Sequence, residues 1–234
     1  QQYLTLTREI KDKSGEISAL TNLAKVYTKS GKLTQTALSY EQALILVREA
    51  GDKPQEATVL GNLAIASKTL GNYVKAIETN QKSLEIIREL GNLENESKVL
   101  KNLGNVYEAL GDYDSAIKSY KKSLTIADQI KNQSVIALAL NNLGRIYSDQ
   151  GEYNKATNTL KDSLSISRTI KDIPIQNRAL INLGSTYHSQ GKLQEATTKY
   201  QESLQLAQSS GNKQRELEAL GSLGLVHEDL KQYP

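Results

Sequence analysis

The 234-residue sequence contains no cysteine, methionine, phenylalanine or tryptophan, and only 3 prolines and 2 histidines. The lack of cysteine excludes disulfides, thiolate nucleophiles and Cys-ligated zinc, and leaves the redox compartment open. Two histidines argue against a His-rich metal centre, and no cofactor is expected. With tyrosine as the sole aromatic, the core must be built from Leu, Ile, Val and Ala. Neither charge sign dominates: 29 Lys and Arg face 26 Asp and Glu, for a net +3, far from the basic bias of a generic nucleic-acid binder. No run of eighteen apolar residues is present, which excludes a membrane-spanning helix, and the opening Gln1-Gln2-Tyr3-Leu4 does not resemble a signal peptide. A cytoplasmic chain without membrane or nucleic-acid partners is expected. The missing initiator methionine adds the expectation of an excised piece.

What the sequence has is a repeat. Asn22-Leu23, Asn62-Leu63, Asn102-Leu103, Asn142-Leu143 and Asn182-Leu183 recur at an interval of 40, with Ser222-Leu223 in sixth place. Gly31, Gly71, Gly111, Gly151 and Gly191 keep the same interval, as do Leu44, Leu84, Leu124, Leu164 and Leu204. Within a unit, Val99, Leu100, Leu103, Val106 and Tyr107 fall at helical steps, and Ala116, Ile117, Tyr120 and Leu124 do so after Gly111. Each unit is therefore two amphipathic helices.

The turn inside a unit carries a glycine, which reaches the left-handed conformation without a Cβ penalty. A second break comes at Gly51-Asp52, Gly91-Asn92, Lys131-Asn132, Lys171-Asp172 and Gly211-Asn212, where Asp or Asn can cap the next helix; Pro54 and Pro174 fall in its first turn. Small residues at Ala24, Ala64, Gly104, Gly144, Gly184 and Gly224, and at Ala76, Ala116, Ala156 and Ala196, mark close helix approach. Thr36 is the exception. One hairpin cannot bury its apolar stripes alone, so the units must stack into a solenoid.

The series Leu103, Gly104, Tyr107, Gly111, Tyr113, Ala116, Tyr120 resembles the tetratricopeptide repeat, in register six times along the chain. The 40-residue unit is similar to repeats of Pins-type adaptors, kinesin light chains and bacterial multi-repeat regulators. Departures are Ser67 and His227 for the first-helix Tyr, Asn80 and Leu160 for the second-helix Tyr, and Ser at 83, 123, 163 and 203 for Ala. The resemblance implies an all-α, right-handed superhelix (α-solenoid) of antiparallel helix pairs, with about five full repeats plus partial repeats at both ends. As a single domain, it would run from the end of a second helix (1–12) through repeats near 13–51, 52–91, 92–131, 132–171 and 172–211 to a further first helix (212–234). Lys231-Gln232-Tyr233 would stand at the threshold of another second helix. Neither end carries a polar cap, so a longer array and end-to-end self-association are expected.

In this family first helices line the concave face, which implies a row of Asn22, Asn62, Asn102, Asn142 and Asn182 along a groove. An amide donates and accepts, so it can pair with the backbone of an extended peptide; equally, each Asn can bond to a neighbouring helix and set repeat geometry. Lys25, Lys29, Lys68, Lys98, Lys101, Asn105, Arg145 and Arg178 share the implied face with Glu108, Asp149 and His188, making its middle positive. Chaperone-adaptor members hold a terminal carboxylate with five residues; Lys101, Asn105, Asn142 and Arg178 fall on four of those positions, and Asn182 replaces the last Arg.

Tyr107, Tyr147 and Tyr187 read as packing residues, and His188 and His227 receive no catalytic or metal role. Gly31-Lys32 and Gly191-Lys192 lack the flanking residues of a phosphate loop. The sequence thus reads as a non-catalytic protein-interaction module that takes a peptide or helix with acidic or carboxylate character. Two alternatives are a regulatory or sensor segment of a larger signalling or enzymatic protein, and an RNA-binding helical repeat, which the small net charge disfavours.

Overall fold

The computed structural model describes residues 2–232, which form twelve α-helices: α1 Gln2–Glu9, α2 Lys13–Lys29, α3 Leu33–Ala50, α4 Lys53–Thr69, α5 Tyr73–Glu89, α6 Leu93–Leu110, α7 Tyr113–Gln129, α8 Gln133–Asp149, α9 Tyr153–Thr169, α10 Ile173–Ser189, α11 Leu193–Ser209 and α12 Lys213–Gln232. There is no strand among the described residues. The fold is an all-α solenoid of antiparallel helix pairs, as the repeat requires. It divides into two compact units, Gln1–Lys122 and Ser123–Pro234, with the boundary inside α7. Lys231 and Gln232 continue α12, and Tyr233, part of the expected second-helix threshold, lies outside the described residues.

Helix starts are set by side-chain caps at the second break. Asp52, Asn92, Asn132, Asp172 and Asn212 accept from the backbone N–H three residues on, at 2.9–3.2 Å. Ends are set by left-handed residues. Glycine fills most of these positions, with φ between 65° and 85°, but Lys11, Lys131 and Lys171 adopt φ of 55°, 54° and 57°. A Cβ is unfavourable there by roughly 1–2 kcal/mol, so these lysines hold a strained turn.

Packing inside a pair explains the small residues. A Cβ on Gly104 would lie 2.5 Å from the Tyr120 ring, and one on Gly184 would lie 2.5 Å from Tyr200; one on Gly144 would meet Leu160 at 2.6 Å. Tyr120 and Leu160 are fully buried, so the glycines admit their bulk. Gly224 meets nothing within 4 Å, since no second helix follows it among the described residues. Three of the serines that replace alanine are also explained. Ser83 and Ser163, both buried, donate to the carbonyls of Ala57 and Ala137 at 2.8 and 2.7 Å, tying a second helix to the preceding first helix; Ser203 donates to Asn177 Oδ1 instead. The buried Thr36 hydroxyl is satisfied by the Lys32 carbonyl at 3.1 Å.

Candidate functional site

In the first unit the first helices α4 and α6 enclose a groove of about 150 Å³. Asn62 and Ile65 line it from α4, and Lys98 and Asn102 from α6, with Gly61 leaving room between them. Three residues expected from the repeat, Asn62, Lys98 and Asn102, are thus brought together. Asn22 is not: it lies with Tyr3, Leu4, Leu23 and Val26 in a separate hollow of about 200 Å³ beside α1. Asn62 and Asn102 are half-buried, and among the described residues neither side-chain amide bonds to protein. Ile65, 48% exposed, supplies an apolar contact.

In the second unit the same row is tied down. Asn182 Nδ2 donates to Oδ1 of the buried Asn141 at 3.0 Å, across the 41 residues that separate facing positions on consecutive first helices. Counting 41 back from Asn102 reaches Gly61, which has no side chain to bond. From Asn62 the count reaches Thr21, whose short side chain donates to the Ser18 carbonyl of its own helix at 3.0 Å and makes no bond to Asn62. The neighbour decides whether a row amide is closed or open. The 41-residue offset also joins His188 Nε2 to Asp229 Oδ2 at 2.6 Å. Ser185 Oγ lies 3.1 Å from the Tyr200 hydroxyl, whose pKa burial pushes above the usual phenol value, against the opposing hydrogen bonds of Ser185 and Ser222.

The expected cations are partly neutralised. Lys98 Nζ donates to Glu94 at 2.6 Å, and this bond holds the Glu94 carboxyl below its ordinary range. Arg145 lies 3.8 Å from Asp149; burial lowers its pKa and Asp149 opposes the shift. Arg178 is exposed and makes no ion pair among the described residues, and Lys101 and Asn142 are half-buried. Of the carboxylate-clamp positions, Lys101 and Asn105 belong to the first unit, and Asn142, Arg178 and Asn182 to the second. Asn105 Oδ1 accepts from the Tyr120 hydroxyl at 2.6 Å, so Asn105, like Asn182, is engaged in an internal bond.

No group of three or more His, Asp or Glu among the described residues is arranged to hold a metal, and no helix among them is long and apolar enough to cross a membrane. Gly61, Ile65, Asn141 and Asp229 had no sequence signal of their own. The recurring 41-residue offset is the signal that would have paired the last two with Asn182 and His188.

The tetratricopeptide repeat family model matches residues 15–89, 68–129, 95–169 and 176–234. No curated protein sequence matches the chain. Among solved structures, it is similar to BtubC (BKLC) from P. vanneervenii, with TM-score 0.75 and 20% identity over 90% of this chain and 89% of that one. A signal transduction ATPase with a tetratricopeptide repeat sensor from Pyrococcus horikoshii matches at TM-score 0.76 and 21% identity over 94% of this chain, which spans only 34% of that protein. A Rap protein complexed with Competence and Sporulation Factor matches at TM-score 0.68 and 16% identity, over 97% and 68% of the two chains. At such identities the likenesses speak for the fold. The register of repeats and the family match carry the assignment: the chain belongs to the tetratricopeptide repeat family.

Proposed function

We propose that this chain is a non-catalytic protein-interaction module that takes an extended peptide of a partner between α4 and α6. The observation that carries this reading is the pair of half-buried, unengaged amides of Asn62 and Asn102 facing one groove. A half-buried amide lacking a protein partner is satisfied by a ligand backbone or by water, and two of them fix a peptide's direction whatever its side chains. Ile65 offers one apolar contact, and Lys68, Lys98 and Lys101 on the same two helices favour acidic side chains. The Lys98 to Glu94 pair is exposed on both sides, so it contributes little and can be exchanged for a ligand carboxylate. The Rap structure in complex with Competence and Sporulation Factor supports a fold of this kind holding a partner.

A peptide library panned against the chain tests the reading. Selected peptides are expected to be enriched in Asp and Glu, to bind more weakly as salt rises, and to lose about tenfold in affinity on Asn62→Ala or Asn102→Ala. Peptides whose affinity ignores both substitutions and the salt would overturn it. The likeness to a repeat sensor within a much longer ATPase favours a second reading, in which the bound segment is another part of the same polypeptide.

A further inference from the structure

The second helices show another surface. Where two of them run side by side, an ion pair spans the gap at a spacing of 34 residues: Lys75 of α5 to Glu41 of α3, and Arg168 of α9 to Glu202 of α11 at 3.1 Å. Between α5 and α7 the corresponding positions hold Gln81 and Ser115, which carry no charge, and Arg88 and Lys122, which carry the same one. No ion pair of Lys118 or Lys122 forms among the described residues. The α3 and α5 register also sets Arg48 opposite Lys82, with Arg48 paired to Glu56 at 2.8 Å.

The result is a cleft of about 550 Å³ within the first unit. Leu100, Leu103 and Tyr107 of α6 form its floor. Arg88 on one wall and Lys118 and Lys122, one turn apart on the other, line the cleft with one carboxylate, Glu85, and a second, Glu96, pairs with Arg88 from outside the lining. Arg88 is pre-set for an incoming anion: its Nε donates to Glu96 at 2.7 Å, which fixes the guanidinium while its two terminal nitrogens keep their donors. Like charges facing across a cleft repel, and an anion between them removes that repulsion while gaining charge-assisted bonds from both sides.

We infer that this cleft is a second docking surface, for an acidic segment of a partner protein, with one carboxylate seated between Arg88 and Lys122 in the place that Glu202 takes beside Arg168. It uses the second helices, so it stands independently of the groove between α4 and α6. The test is fluorescence anisotropy with a labelled hexaglutamate peptide and a hexaglutamine control, on the whole chain at low and high salt. Lys122→Glu restores the Arg-to-Glu pairing of the second unit, so it is expected to fold normally and to cut hexaglutamate affinity by about tenfold. Lys118→Ala, on an exposed position, should weaken it less, and Lys82→Glu, the same charge change outside the cleft, should leave it nearly unaltered. Equal losses for Lys122→Glu and Lys82→Glu would reduce the effect to diffuse charge and overturn the inference. So would absence of hexaglutamate binding, or a loss that follows Lys98→Ala instead, which would assign the peptide to the first-helix groove.

Discussion

The two units spend the same repeat positions differently. In the second, side chains join helix to helix: Asn182 to Asn141, His188 to Asp229, Arg168 to Glu202. In the first, the equivalent amides of Asn62 and Asn102 stay open, and Arg88 faces Lys122 where the second unit has a salt bridge. A residue type repeated down an array is therefore no guide to its role. What matters is the residue 41 or 34 places away: for Asn102, Asn62 and Arg88 of the first unit it is Gly61, Thr21 and Lys122, whereas Lys75 of the same unit finds Glu41 and is paired. At these positions the first unit offers surfaces to partners, although it has ties of its own in Arg48 to Glu56, Lys75 to Glu41 and Arg88 to Glu96.

The largest effect contrasts a glycine at the tight fit inside a pair, found in both units, with the glycine that opens the first-unit groove. Gly184→Ala drives a methyl into the Tyr200 ring and is expected to cost about 1–3 kcal/mol in chemical denaturation followed by circular dichroism. Gly61→Ala meets only Ser83 Oγ at 3.8 Å, so helix propensity should make it stabilising by up to about 1 kcal/mol while it fills the first-unit groove. A smaller effect separates the amides. Asn182→Ala leaves the buried Asn141 carbonyl oxygen without its donor and should cost about 1–2 kcal/mol, whereas Asn102→Ala should stay within about 0.5 kcal/mol; equal costs in thermal melts would erase the distinction between closed and open rows. The smallest concerns turns. Gly51, Gly91 and Gly211 hold at the break the left-handed conformation that Lys11, Lys131 and Lys171 adopt, so Lys171→Gly is expected to stabilise by about 0.5–1 kcal/mol, the relieved strain being partly offset by the greater freedom of glycine in the unfolded chain.

Local physics made most of the architecture legible in the sequence. A cap needs only the residue and an amide three places on, and a left-handed turn needs only its glycine, so Asp52, Asn92, Asn132, Asp172 and Asn212 announce helix starts by themselves. The lysine turns at 131 and 171 were visible as breaks because they fall in phase with Gly51 and Gly91. The candidate site was less legible. The family resemblance implies one face for Lys98, Asn62 and Asn102, and the structure brings them to one groove, but the neutralising Glu94 sits four residues from Lys98, within reach of helical counting. The closure of Asn182 was beyond local reading, because its partner lies on another helix and its effect depends on a side chain that the first unit lacks. The same holds for the cleft of Arg88 and Lys122, which is defined by a missing carboxylate.

The contact between Gly104 and Tyr120, like those of Gly144 with Leu160 and Gly184 with Tyr200, joins two positions sixteen residues apart within one repeat. Each 40-residue cassette thus carries both halves of its tightest fit. Copying or deleting a whole cassette leaves every such fit intact, while a splice between the two helices of one of these pairs would part the glycine from the side chain that it admits. The array can change length freely only in whole-cassette steps.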